Sequence, residues 1–140
     1  MLFQGKPRRV ILSEQGFHTP KGPDGETLQA AAYCYAYKIV ERLDGIDAFI
    51  LHRHVDHPHE GGLWLGLRAL TPANGETRPK KRIYEPFRRA DTPQWEKAFE
   101  FALPVVGLKN WQEVKFQATP QERQSRCADQ QRRRCAIRAD

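Results

Sequence analysis

Two short apolar runs separated by one long helical pattern limit what this chain can fold into more than any other feature. The runs are Val-Ile-Leu-Ser at residues 10–13 and Ile-Asp-Ala-Phe-Ile-Leu at residues 46–51. The first is apolar on both parities, the pattern of a strand buried on both faces in a parallel sheet. Between the runs, over residues 26–43, Leu28, Ala32, Tyr35, Ile39 and Leu43 recur every three or four positions. That spacing gives one apolar stripe along a helix, and Asp44-Gly45 ends it in the expected way. Strand, helix and strand make a βαβ unit, which implies a parallel pair with a right-handed crossover. The expected fold class is α/β.

In parallel α/β folds the functional groups gather at the carboxyl ends of the strands. Glu14 follows the first run directly, and His52 follows the second. The later chain is less sharply marked. Residues 61–70 read as extended, 72–81 as a turn-rich loop, and 82–87 as either strand or irregular backbone. A last helix is expected over 93–103. Thr92 suits its N-cap and Pro93 its first position, with Trp95, Ala98, Phe99, Ala102 and Leu103 at helical spacing. Pro104 and Gly107 should end or kink it.

At 140 residues the chain has the length of one domain. Hydrophobic residues make up 39%, below the usual ~45–50%, although that usual count includes Gly. Residues 117–140 are poor in large apolar side chains, Ile137 being the one beyond Ala and Cys, and carry Arg123, Arg126, Arg132, Arg133, Arg134 and Arg138. A disordered or out-of-frame basic tail is expected there. Nucleic-acid binding through it is the alternative, but no aromatic side chains are interleaved to stack on bases. Cys34, Cys127 and Cys135 are too few and too unevenly placed for a disulfide framework or a zinc ribbon, and Cys34 reads as a small core residue. No signal peptide is recognisable, and no apolar run approaches the ~20 residues of a membrane span.

Four of the five histidines lie in "HRHVDHPHE", residues 52–60. His52, His54, Asp56 and His57 spell H-x-H-x-D-H, a spacing that can chelate one or two zinc ions. A two-metal site needs further ligands, and no histidine follows His59. A long helix also precedes the strand, where the metallo-β-lactamase fold has paired strands. A metal-dependent hydrolase therefore stays as a rival reading, with no metal or other cofactor in the leading one. A purely structural loop, in which these side chains hydrogen-bond their own backbone, is the other alternative.

"VILSEQGF" (residues 10–17) sets a carboxylate at the end of an apolar strand. It resembles the strand-seven nucleophile context of many TIM-barrel glycosidases. More broadly, "LSEQGFHT", "GETLQAAAYCYAY", "IDAFILHRHVDHPHEGGLWLGL" and "IYEPFRRADTPQWEKAFEFALPVVG" resemble the C-terminal part of a bacterial domain family of unknown function. That family is thought to be related to TIM-barrel glycoside hydrolases. The resemblance covers residues 6–115. It implies the last two βα units of a (β/α)8 barrel over residues 1–116, with Glu14 as catalytic nucleophile. Gln15, His18, His52, Arg53, His54, Asp56 and His57 would then line a carbohydrate site.

Such an enzyme draws its general acid from an earlier strand, and two βα units do not close a barrel. The resemblance therefore implies a fragment of a larger protein, inactive without the N-terminal part of the barrel; its localisation stays open, a secreted or periplasmic parent among the alternatives. Unpaired sheet edges and uncovered apolar faces should make it aggregate or remain molten. A non-catalytic carbohydrate-binding remnant is the remaining alternative.

Overall fold

A computed structural model describes residues 2–70 and 78–114, the side chains of residues 2, 3 and 7 excepted. The expected tail, with Cys127 and Cys135, lies outside the described residues, as does most of the loop expected over 72–81.

The chain opens with a small antiparallel hairpin, β1 (Leu2–Phe3) and β2 (Lys6–Pro7). Its two-residue turn has Gln4 at φ +49° and Gly5 at φ +76°, the positive values that match the twist of a tight hairpin. Next come β3 (Val10–Gln15), α1 (Gly25–Val40) and β4 (Ile46–Leu51). β3 and β4 pair in parallel, with Val10 opposite Ile46, Leu12 opposite Phe49 and Gln15 opposite Leu51. The βαβ unit expected from the pattern is present.

The two strands form a two-stranded sheet, order β3-β4, and this corrects one expectation. β3 is not buried on both faces: Val10 is 37% and Ile11 58% exposed, and Ile50 on β4 is 48% exposed. Among the described residues each strand pairs only with the other, and these side chains stay uncovered.

The helix buries a different face from the one its pattern suggested. Ala30, Ala31, Tyr33, Cys34 and Lys38 point inward, whereas Leu28 and Ala32 are exposed. Alanine and tyrosine run round much of α1, so two stripes at i, i+3, i+4 compete, and tertiary packing decides between them. The core gathers on the chosen side. Tyr33 stacks on Phe49 with centroids 6.1 Å apart, and Phe99 meets Tyr37 and Trp111 edge-on. Burial pushes the Cys34 thiol far above its ordinary pKa.

The segment read as strand or irregular is helix α2 (Tyr84–Arg89). Pro86 sits in its first turn, where a missing N–H costs no intrahelical hydrogen bond. The single helix expected over 93–103 is two short ones, α3 (Trp95–Phe99) and α4 (Ala102–Val105). Pro104 has no N–H to offer the Glu100 carbonyl and its ring crowds that group; Leu103 N–H instead donates to Glu100 O at 3.2 Å. Thr92 does act at the helix approach, accepting from Gln94 N–H at 3.3 Å. A 3₁₀ turn (Trp111–Glu113) closes the described chain and is held to α1 by Arg42, which donates to the Trp111 and Val114 carbonyls.

Candidate functional site

The carboxyl ends of β3 and β4 lie side by side. His52 N–H donates to Gln15 O at 3.0 Å, so the acidic end of one strand abuts the histidine-rich exit of the other. Glu14 is exposed and has no hydrogen bond or ion pair among the described residues. Gly16 lets the two exits approach: a Cβ there would stand 2.9 Å from Leu65 Cδ1 and 3.2 Å from His52 O.

Beyond β4 the chain does not wander. Residues 53–56 run parallel to residues 65–68, with Leu67 N–H on Arg53 O at 3.1 Å, Arg68 N–H on His54 O at 3.0 Å and Asp56 N–H on Arg68 O at 2.9 Å. Residues 67–69 in turn pair antiparallel with 79–81 through Lys81 N–H on Leu67 O and Ala69 N–H on Pro79 O. The peptide bond between His52 and Arg53 is cis. The ladder with residues 65–68 fixes the backbone of Arg53 and His54 beside the β4 exit.

Each side chain has a definite place. Arg53 pairs with Glu60, whose Oε1 also lies 3.5 Å from His52 Nε2. His54 is exposed. His57 Nδ1 accepts from His59 N–H at 3.2 Å, and the two rings meet edge-on. His18 sits across the loop, its Nδ1 accepting from Trp64 N–H at 3.0 Å, which leaves its proton on Nε2. Thr19 N–H donates to Trp64 O, so the β3 exit is tied to the return of the histidine loop.

Asp56 departs from the expectation that it faces the ligand. It is only 6% exposed, and its Oδ1 accepts from Gly66 N–H at 2.6 Å. Lys81 Nζ donates to both of its oxygens, at 2.9 and 3.1 Å. Asp56 therefore holds the loop from within. The H-x-H-x-D-H spacing does not become a ligand set for the same reason, and among the described residues no group of three or more His, Cys, Asp or Glu could hold a metal ion.

Two residues that sequence reasoning passed over complete this support. Gln29, fully buried on α1, donates from Nε2 to Phe17 O at 2.8 Å and Gly66 O at 3.2 Å. Lys81, 4% exposed, is Asp56's partner. A glutamine within an alanine-rich helix and a lysine within a basic loop both read as surface residues. The only available signal for Gln29 was its place beside the residues that turn out to be buried.

Two hollows accompany the site. The larger, about 830 Å³, lies on the helical side and includes Glu26, Lys80, Arg82, Tyr84, Glu85 and Phe101, but neither Glu14 nor a histidine. Its cations are engaged: Lys80 lies 4.5 Å from the Tyr84 centroid, Arg82 4.4 Å from that of Phe101, and Lys81 pairs with Asp56. The smaller, about 460 Å³, is lined by Arg53, His54, Val55, Asp56, His57, Leu70 and Arg78. Size favours the first hollow. Proximity to the strand ends and the number of uncommitted polar side chains favour the second as the chemically relevant one.

The profile of a family of unknown function, DUF5722, matches residues 1–114. The chain belongs to that family. In this DUF5722 member the match takes in both strand exits, the histidine loop and the Asp56–Lys81 pair. No curated protein and no solved structure matches the chain. Among its described residues no helix is long and apolar enough to cross a membrane.

Proposed function

We propose that this chain is the carboxyl-terminal portion of a glycoside-hydrolase-like (β/α)8 barrel acting on poly- or oligosaccharides. β3 and β4 are then strands seven and eight, α1 is helix seven, and α3 with α4 stands for helix eight. The reading rests on one observation above others: parallel β3 and β4 end together, which brings the Glu14 and His52 backbones to the same edge. The exposed Val10, Ile11 and Ile50 add support, because a neighbouring strand and helix on each side would cover them.

In this reading Glu14 is the nucleophile. Its carboxylate attacks the anomeric carbon, while a carboxylic acid from an earlier strand protonates the leaving oxygen. Gln15 and His18 stand on the β3 side of the sugar. His52, Arg53, His54 and His57 stand on the β4 side, with planar, forked hydrogen-bonding groups suited to vicinal hydroxyls. Asp56 holds their loop from beneath. In this reading the general acid comes from an earlier strand, so the chain alone is inactive.

The test joins the chain in frame to six upstream βα units and assays polysaccharide hydrolysis. The joined protein hydrolyses a glycan and the 140-residue chain does not. Hydrolysis by the chain alone, or a joined protein that folds and hydrolyses nothing, contradicts the proposal.

A further inference from the structure

We infer that the hollow beside the histidine loop binds an acidic saccharide unit, one that carries a carboxylate or a sulfate. The inference rests on the saccharide reading above and narrows it to a substrate class.

Among the described residues the hollow is lined mainly by donors. Asp56 is its one carboxylate, and both oxygens are taken from within by Lys81 and Gly66 N–H. On His57 the Nδ1 acceptor is taken by His59 N–H, which leaves Nε2–H as a donor. Arg53 gives one arm to Glu60, and a guanidinium carries five N–H donors, so others stay free. Arg78 is fixed through its backbone, its carbonyl accepting from Arg68 at 2.6 Å. Its guanidinium has no carboxylate partner among the described residues.

A neutral sugar hydroxyl both donates and accepts, so a site for neutral sugars supplies carboxylates or amide oxygens as well as donors. A lining of two guanidinium groups and imidazole N–H donors instead complements a group that only accepts. Planar carboxylate and three-oxygen sulfate both suit forked arginine contacts. Val55 and Leu70 give the same hollow an apolar patch for the sugar's C–H face. The ladder between residues 53–56 and 65–68 fixes half of these donors before any ligand arrives.

The experiment titrates the 140-residue chain by calorimetry with four probes: a hexauronate, a sulfated hexasaccharide, a neutral hexasaccharide and inorganic sulfate. Arg78→Ala and His54→Ala are run in parallel, with near-UV circular dichroism to show that each keeps the parent's aromatic packing. At least one acidic hexasaccharide is expected to bind about tenfold tighter than the neutral one. Arg78→Ala or His54→Ala should remove most of that difference; which acidic probe wins tells uronate from sulfate. Equal binding of neutral and acidic probes overturns the inference and leaves the saccharide reading standing. A preference that both variants retain overturns the assignment to this hollow. Binding of no hexasaccharide, or of inorganic sulfate as tightly as the sulfated sugar, overturns the saccharide reading along with it.

Discussion

Lys81 and Asp56 form a buried ion pair that spans the candidate site from below, Nζ lying 2.9 Å from Oδ1 with side chains 3% and 7% exposed. Through Gly66 N–H the same carboxylate fixes the strand that pairs with residues 53–56. Removing one partner leaves the other charge buried and uncompensated. Lys81→Met should destabilise the fold by about 3–5 kcal/mol, read as a lowered urea midpoint by circular dichroism. Adding Asp56→Asn to it should recover part of the loss. A Lys81→Met chain as stable as the parent would show that the pair does not hold the loop.

Gln29 tests the same support from the helix side. Gln29→Leu strands the Phe17 and Gly66 carbonyls, each of which now accepts from Nε2. The expected cost is about 1–3 kcal/mol. Two-dimensional NMR should show the largest shift changes at Phe17 and Gly66. Changes confined to the immediate neighbours of Gln29 on α1 would contradict the assigned contacts.

What the sequence made legible follows from how local each signal was. The βαβ unit could be read because two apolar runs and a long helical period are local features, and so the neighbouring strand exits could be read as well. The buried face of α1 could not. Leu28 and Ala32 are as apolar as Ala31 and Cys34, and only α2, α4 and β4, packed against one side of the helix, decide between them. Asp56 reads from the sequence as a lining residue of the sugar site, one of several polar groups in the loop. Its role depends on Lys81, twenty-five residues away in sequence, and no periodicity links the two. The broken last helix was half legible, since Pro104 was noticed but its effect on the preceding turn was placed too late.

The open sheet supplies a third prediction. Ile11 is 58% exposed on a strand whose outer edge is unpaired among the described residues, a geometry that promotes strand-to-strand association. Sedimentation velocity should find the parent chain associating as its concentration rises. Ile11→Lys should shift it toward monomer without altering the near-UV spectrum. A parent chain that stays monomeric, with a cooperative and concentration-independent urea transition, would count against the barrel-portion reading.

Cys34 gives a simple check on the core. It is fully buried, and desolvation raises its thiol pKa, so thiolate is scarce at neutral pH. Alkylation with iodoacetamide, followed by peptide mapping, should leave Cys34 unmodified in native buffer and modify it in urea. Equal modification in both would place it outside the core.

In the proposed function Glu14, at the end of β3 and beside the His52 exit of β4, is a nucleophile toward a sugar. The most direct measurement compares turnover and glycan affinity of Glu14→Gln with the parent in the complete barrel protein. The account predicts that kcat falls at least about 10³-fold while glycan affinity stays within about threefold of the parent's. Undiminished turnover by Glu14→Gln would contradict it.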